Sequence, residues 1–223
     1  MSDSVVEAKR DAGIRAANMV RDGMIIGLGT GSTVLFAMER LGERIKTEKL
    51  MICGVPTSNQ TIMRAEEYGI PLTTLTLHPE LDLAIDGADQ VNPKKQMIKG
   101  RGAAHLREKI VANASKQFVV AIDPCKEVMD LDIAVPIEIL PFAYGSVVKK
   151  LRELGGKPII RNGIKKDGPI ISDNGNYVID CAFNVIVNPA SLEATINNIP
   201  GVLDNGIFAT MTEKTIVIIG DRT

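Results

Sequence analysis

Tryptophan is absent from the 223 residues, and five Phe and three Tyr bring the aromatic content to only 4%. So thin a supply argues against base-stacking platforms and aromatic sugar-stacking faces. A basic excess is missing too. The 26 Lys and Arg nearly balance the 27 Asp and Glu, leaving a formal charge of −1, where a nucleic-acid surface would carry clear positive charge. The three cysteines, Cys53, Cys125 and Cys181, are far apart and include no Cys-x-x-Cys, so neither a disulfide framework nor a zinc site is expected. Their simplest role is that of small buried hydrophobes in a reducing compartment. His78 and His105 show no ligand spacing, and no metal is predicted. No apolar run approaches the roughly 18 residues of a membrane span, and the charged start MSDSVVEAKRD has no apolar signal core. These absences together predict a cytoplasmic protein with neither a membrane nor a nucleic acid as partner.

What is present is ordinary globular material, 45% hydrophobic and 24% charged, long enough for one large domain or two small ones. Residues 3–21 show apolar positions at helical spacing, with Gly23 just beyond. Met24–Leu28 is a short apolar run suited to a parallel strand covered on both faces. It breaks at Gly29-Thr30-Gly31-Ser32-Thr33, and a helix is expected over 34–44. The rhythm repeats: strand 50–55, a helix capped at Thr57-Ser58-Asn59 and closed by Gly69, strands at 70–75 and 81–85, a helix over 103–115 and a strand at 118–122. Alternation of this kind predicts a mostly parallel, Rossmann-like sheet.

Beyond residue 130 the pattern changes. Val135–Ile139 alternates as a half-exposed strand, 144–154 is helical, and 157–161 and 169–172 flank a turn-rich segment. Asp173-Asn174-Gly175-Asn176 marks a hairpin before strand 177–180, and a helix follows over 189–199. This predicts a small α+β unit of ferredoxin-like character. Strands are expected at 207–209 and 215–219, the latter able to return to the first sheet. The expected division is residues 1–130 with 206–223 as the main domain and 131–205 as an insertion.

Chemistry concentrates in two places. The loop Gly29–Thr33, between a buried strand and a helix, presents backbone N–H groups, hydroxyls and a helix N-terminus to an anion. It is neither Gly-x-Gly-x-x-Gly, because Ser32 stands where glycine is needed, nor a nucleotide-hydrolase loop, because no Gly-Lys-Ser/Thr occurs. A tight capped turn is the alternative use of such a loop. The second place is Leu81–Lys109, where a buried strand ends in Asp86-Gly87-Ala88-Asp89. Lys99-Gly100-Arg101-Gly102 then precedes a helix carrying Glu108. Asp and Gly are ordinary turn formers, but carboxylates, a lysine and open backbone after a buried strand suit the catalytic edge of an α/β sheet.

GLGTGST at 27–33, DGAD at 86–89 and KGRGAAHLREK at 99–109 jointly resemble the motifs of type A ribose-5-phosphate isomerases. PTSNQT at 56–61, the pair Asp123 and Lys126, and NNIPGVLDNGIFA at 197–209 fit the same pattern, so the resemblance covers nearly the whole chain. It implies metal-independent, cofactor-free interconversion of D-ribose 5-phosphate and D-ribulose 5-phosphate in the non-oxidative pentose phosphate pathway, by a homodimer or homotetramer. It implies substrate contacts from Thr30, Gly31, Ser32, Thr33, Asp86, Gly87, Ala88, Asp89, Lys99, Gly100, Arg101, Gly102 and Lys126, with Glu108 as the proton-abstracting base. In chemical terms the base moves a proton between C2 and C1. Lys99 would face the developing oxyanion, Asp86 and Asp89 would hold sugar hydroxyls and assist ring opening, and Lys126 would neutralise the phosphate. Two departures stand out: Gln90 replaces the family's usual acid, and Arg101 replaces a glycine. Arg101 either points away from the ligand or adds a phosphate or interface contact. The competing readings are a non-catalytic sugar-phosphate sensor and an isomerase or deaminase for another sugar phosphate. The absence of a helix-turn-helix segment or basic extension counts against the sensor.

Overall fold

The computed structural model describes residues 3–221. Met1, Ser2, Arg222 and Thr223, which close the expected main-domain spans, lie outside the described residues. In chain order the elements are α1 (Asp3–Asn18), β1 (Ile25–Leu28), α2 (Ser32–Thr47), β2 (Cys53–Pro56), α3 (Asn59–Tyr68), β3 (Leu81–Asp86), β4 (Gln90–Val91), β5 (Met97–Ile98), α4 (His105–Ala114), β6 (Ser115–Ile122), β7 (Val135–Ile139), α5 (Tyr144–Glu153), β8 (Lys157–Ile160), β9 (Tyr177–Ala182), α6 (Pro189–Asn197), β10 (Val202–Asn205), β11 (Ile207–Phe208) and β12 (Thr215–Ile219). They gather into two compact units, one of 1–88, 107–127 and 211–223, the other of 89–106 and 128–210.

The first unit is a five-stranded parallel sheet in the order β12-β6-β3-β1-β2. Numbered by appearance within the unit this is 2-1-3-4-5, the doubly wound order in which the winding reverses between β1 and β3. The strands are apolar through their buried centres, where helices cover both faces, while β6 opens on the exposed Lys116 and Gln117. Ile26, Leu28, Leu83, Ile85, Val119 and Ala121 are all buried in one core. Helix α1 offers Ala8, Ala12 and Ala16 to the interior, and Gly13 lets the start of α2 come close: a Cβ there would lie 2.7 Å from the Thr33 carbonyl oxygen. Ser58 caps α3 by accepting the Thr61 N–H, and Gly69 ends it at φ 70°. β12 returns to pair with β6.

One expected strand does not form. Over 70–75 only a single bridge, Gly54 with Leu72, survives. Leu72 and Thr74 are exposed beyond the sheet edge, and the chain turns at once, with the Leu77 and His78 N–H groups returning to the Thr74 carbonyl. The turn at Thr74 takes the chain away from the edge strand β2 before further bridges form.

The second unit runs β7-α5-β8-β9-α6-β10, with the four strands antiparallel in the order β10-β7-β9-β8. That connectivity and order are ferredoxin-like. Val147, Val148 and Leu151 of α5 and Ile196 of α6 bury against Val135, Ile137, Ile139 and Ile179 of the sheet. The hairpin signal at 173–176 makes a tight turn, with Gly175 at φ 81° and the Ser172 N–H donating to Asn176. The turn also serves the core. The fully buried Glu138 carboxylate on β7 accepts from Ser172 Oγ, Asn174 Nδ2 and Asn176 Nδ2 at 2.7, 3.0 and 2.9 Å. Beside this sheet, β4, β5 and β11 form a small antiparallel sheet of two-residue strands.

Candidate active site

In a parallel sheet every strand ends on the same edge, so adjacent strands bring their following loops together. In the first unit β6, β3 and β1 are neighbours. The loops after them carry Asp123–Lys126, Asp86–Ala88 and Gly29–Thr33. The latter two face each other across the switch point and are bonded. The Gly29 N–H donates to the Ile85 carbonyl at 2.9 Å, and the Thr30 N–H to Asp86 Oδ1 at 3.2 Å. Asp86, 2% exposed, also accepts the Gly87 N–H at 2.8 Å. Gly29 is glycine for a spatial reason: a Cβ there would overlap the Asp86 carboxyl group.

Thr30 is held from behind. Its hydroxyl lies 2.8, 2.7 and 3.2 Å from those of Thr57, Ser58 and Thr61, and the Thr61 hydroxyl donates to the Gly29 carbonyl at 2.7 Å. This cluster comes from PTSNQT, where the sequence predicts only the helix cap at Thr57-Ser58-Asn59; the density of hydroxyls is the signal for the further role. Gly31, at φ 127°, leads into α2, whose first turn holds Ser32 and the buried Thr33 and contains no acid. A helix N-terminus with no carboxylate of its own leaves its N–H groups to an outside anion. Lys9 of α1, which sequence reading passed over, donates to Ser32 Oγ at 3.2 Å and lies 4.0 Å from Asp123. Lys126, half-buried, ends the short turn after β6, in which Asp123 accepts the Cys125 N–H.

Glu108, 4% exposed, lies in the first turn of α4. Three residues on, Val111 packs where a Cβ of Gly27 on β1 would be. Residues three apart share a helix face, and α4 runs back along the sheet to the start of β6. Glu108 therefore sits on the sheet-facing side of α4, one turn nearer the strand ends that carry Asp86 and Gly29.

In the second unit Asp89 pairs its N–H with the Ile98 carbonyl at 2.8 Å, and its Oδ2 accepts the Arg101 N–H at 2.9 Å. Lys99, 3% exposed, follows β5; its N–H donates to the Gly206 carbonyl at 2.8 Å and its ammonium lies 5.6 Å from the centre of the Phe208 ring. An ammonium over an aromatic face is attracted by the ring's quadrupole. Gly206 allows the close approach, since a Cβ would strike the Lys99 carbonyl. Gly100 is at φ 103°, and a Cβ would fall 2.8 Å from His105 Nδ1. Gly102 is exposed, as is Arg101, whose backbone rather than side chain makes the bond to Asp89. Gln90 is buried against the 132–133 turn, donating to Asp132 Oδ1 at 2.6 Å and accepting the Asp132 N–H at 3.0 Å. Its amide both gives and takes, which an ionised acid could not do. Among the described residues no three His, Cys, Asp or Glu side chains converge to hold a metal ion.

A doubly wound sheet whose switch point joins an anion-ready loop to a buried carboxylate defines an α/β protein built for a small phosphorylated substrate. Residues 53–222 match the family described as ribose 5-phosphate isomerase A (phosphoriboisomerase A). The chain is 56% identical over 221 residues to the ribose-5-phosphate isomerase A of Methanoregula boonei, covering 99% of this chain and 93% of that one, and 48% identical to that of Thermosynechococcus vestitus, covering 98% and 93%. The solved ribose 5-phosphate isomerase A of Methanocaldococcus jannaschii superposes with a TM-score of 0.91 at 44% identity, covering 96% of this chain and 94% of that one. A D-ribose-5-phosphate isomerase in complex with phospho-erythronic acid superposes at 0.94 and 43% identity, covering 98% and 96%. The chain belongs to the ribose 5-phosphate isomerase A family.

Proposed function

We propose that this chain interconverts D-ribose 5-phosphate and D-ribulose 5-phosphate through an enediolate. The observation that carries the reading is the bond from the Thr30 N–H to Asp86 across the switch point, which joins an anion loop to a carboxylate in a chain 56% identical to a ribose-5-phosphate isomerase A. The sensor and deaminase readings have no comparable support among the relatives.

The chemistry divides among named groups. The N–H groups and hydroxyls of Gly31, Ser32 and Thr33, with Lys126, take the phosphate. Asp86 and Asp89 hold sugar hydroxyls and assist opening of the furanose. Glu108 removes the C2 proton of the open aldose and returns it to C1. Between those steps the O2 proton leaves and O1 gains one, so the carbonyl moves from C1 to C2. Lys99 stabilises the enediolate oxygen. Phospho-erythronic acid, bound by a relative, pairs a carboxylate with a phosphate, as an enediolate phosphate pairs its two charges. Residues 1–130 and 206–223 carry the catalytic role in this reading, and 131–205 supply an insertion that serves assembly into a homodimer or homotetramer in the cytoplasm.

The test is turnover of ribose 5-phosphate, in both directions, after exhaustive EDTA treatment, beside free ribose at the same concentration. Full activity with chelator and very poor turnover of free ribose are expected. Equal turnover of ribose would remove the anion site from the account, and activity restored only by divalent ions would overturn the metal-independent mechanism.

A further inference from the structure

The segment Lys99–Ala103 has no regular structure, yet its shape is tied down within the second unit. Gly100 stands at φ 103° and Ala103 at φ 59°, with the Ala103 N–H closing on the Gly100 carbonyl at 2.9 Å. From outside the loop Arg161 holds two carbonyls, a second bond on that of Gly100 and one on that of Arg101. Just past β8, Arg161 is itself fixed: its N–H donates to Val178 and its carbonyl accepts from Ile170, both at 2.9 Å. Its guanidinium then forks. Nε donates to Asp180 Oδ2 at 2.8 Å and Nη2 to Asp180 Oδ1, while Nη1 donates to the carbonyls of Gly100 and Arg101, both at 3.0 Å. A planar guanidinium with both oxygens of one carboxylate engaged has a single orientation. Here that orientation aims Nη1 at the loop.

The two carbonyls belong to the peptide groups whose other ends are the N–H groups of Arg101 and Gly102. A cation at the oxygen end polarises the N–H end of the same peptide group, and successive bonds reinforce one another. The Arg101 N–H is the donor to Asp89 Oδ2. A continuous chain thus runs from Asp180 through Arg161 to the Asp89 carboxylate by way of the peptide group that joins Gly100, the residue after Lys99, to Arg101. We propose that Arg161, oriented by Asp180, is a positioning residue for the isomerisation, acting through the backbone of the Lys99–Gly102 loop on Asp89 and Lys99. This rests on the reading above, in which those two groups serve the substrate. It also accounts for the tolerance of arginine at position 101: the loop is held through a carbonyl and an N–H, which every residue but proline supplies.

Arg161→Met removes the charge at similar length. Arg161→Lys keeps the charge, but one ammonium cannot span both Asp180 oxygens and both carbonyls. Asp180→Asn loosens the orientation alone. With circular dichroism confirming folded protein, kcat should fall about 10–100-fold in Arg161→Met and less in Arg161→Lys and Asp180→Asn, while KM for ribose 5-phosphate stays within about threefold. A purely structural role would lower the melting temperature and leave kcat per folded molecule alone. If Arg161→Met does not fold, the other two variants decide. A folded variant at position 161 or 180 with kcat within about twofold of the parent overturns the proposal. Lys99→Ala and Glu108→Gln run in parallel separate the two failures. If they too are fully active, the reading of the site has fallen; if they are inactive while the Arg161 variants are not, only the clamp has.

Discussion

Two side chains show how burial sets chemistry at the scale of one residue. Glu108, buried in the first turn of α4 and facing the sheet, is the base in the proposed mechanism. Glu108→Gln keeps its size and most of its hydrogen bonding but cannot accept a proton. Steady-state kinetics should show kcat lower by roughly 10²–10⁴-fold with KM little changed. A near-normal kcat would move the role to Asp86 or Asp89. Cys181 is the opposite case, a buried group with no chemistry. Desolvation pushes its thiol up to about 12. The unfolded chain ionises near the ordinary thiol value while the folded chain does not, so this group's contribution is fully present below that value and is lost as pH rises toward about 12. Thiol titration at mildly alkaline pH should modify the exposed Cys125 rapidly and Cys181 only after denaturant is added.

Pairs of elements are joined by single polar contacts whose loss is measurable. Gly29, at the end of β1, leaves room for the Asp86 carboxylate at the end of β3. Gly29→Ala forces that carboxylate aside, and a misplacement of about 1 Å in such a group costs on the order of 10²-fold in kcat/KM. A parent-like kcat/KM would mean that Asp86 can move freely and still work. In the second unit, the turn at Ser172–Asn176 is fastened to β7 through Glu138. Asn176→Ala removes one of three donors from a fully buried carboxylate, and chemical denaturation should show a loss of about 1.5–3 kcal/mol. A loss below about 0.5 kcal/mol would mean that the turn does not hold the core.

Across the whole molecule, what the second unit exposes bears on assembly. Phe142, Ile164 and Val187 are essentially fully exposed, and Ile159 is 69% exposed. The homo-oligomer proposed above would give these side chains a surface to be buried against. Light scattering should give a mass at least twice the 24.0 kDa of one chain. A monomer at micromolar concentration would contradict the proposed oligomer. Replacing Phe142 and Val187 with Ser should lower that mass if their surface is the one covered, since the rest of the fold does not bury them.

The sequence by itself determined the alternation of buried strands and helices, the β-α-β-β-α run of the ferredoxin-like unit, the hairpin at 173–176 and the positions of Asp86 and the Gly29–Thr33 loop at strand ends. Each of these is local: continuous apolar runs, caps, glycines and turn residues report burial and backbone shape within a few residues of themselves. Only the tertiary structure decided which strand ends became neighbours, and hence that the Thr30 N–H meets Asp86. It reduced the 70–75 strand to one bridge, because the turn at Thr74 carries the chain away from the sheet edge. It added β4, β5 and β10, too short or too irregular to carry a period. It left the Arg101 side chain exposed and set Gln90 against Asp132. Arg161 lies 61 residues from Gly100 in the chain. No local pattern in sequence carries a bond of that span, since the two ends meet only after an intervening sheet has chosen its register.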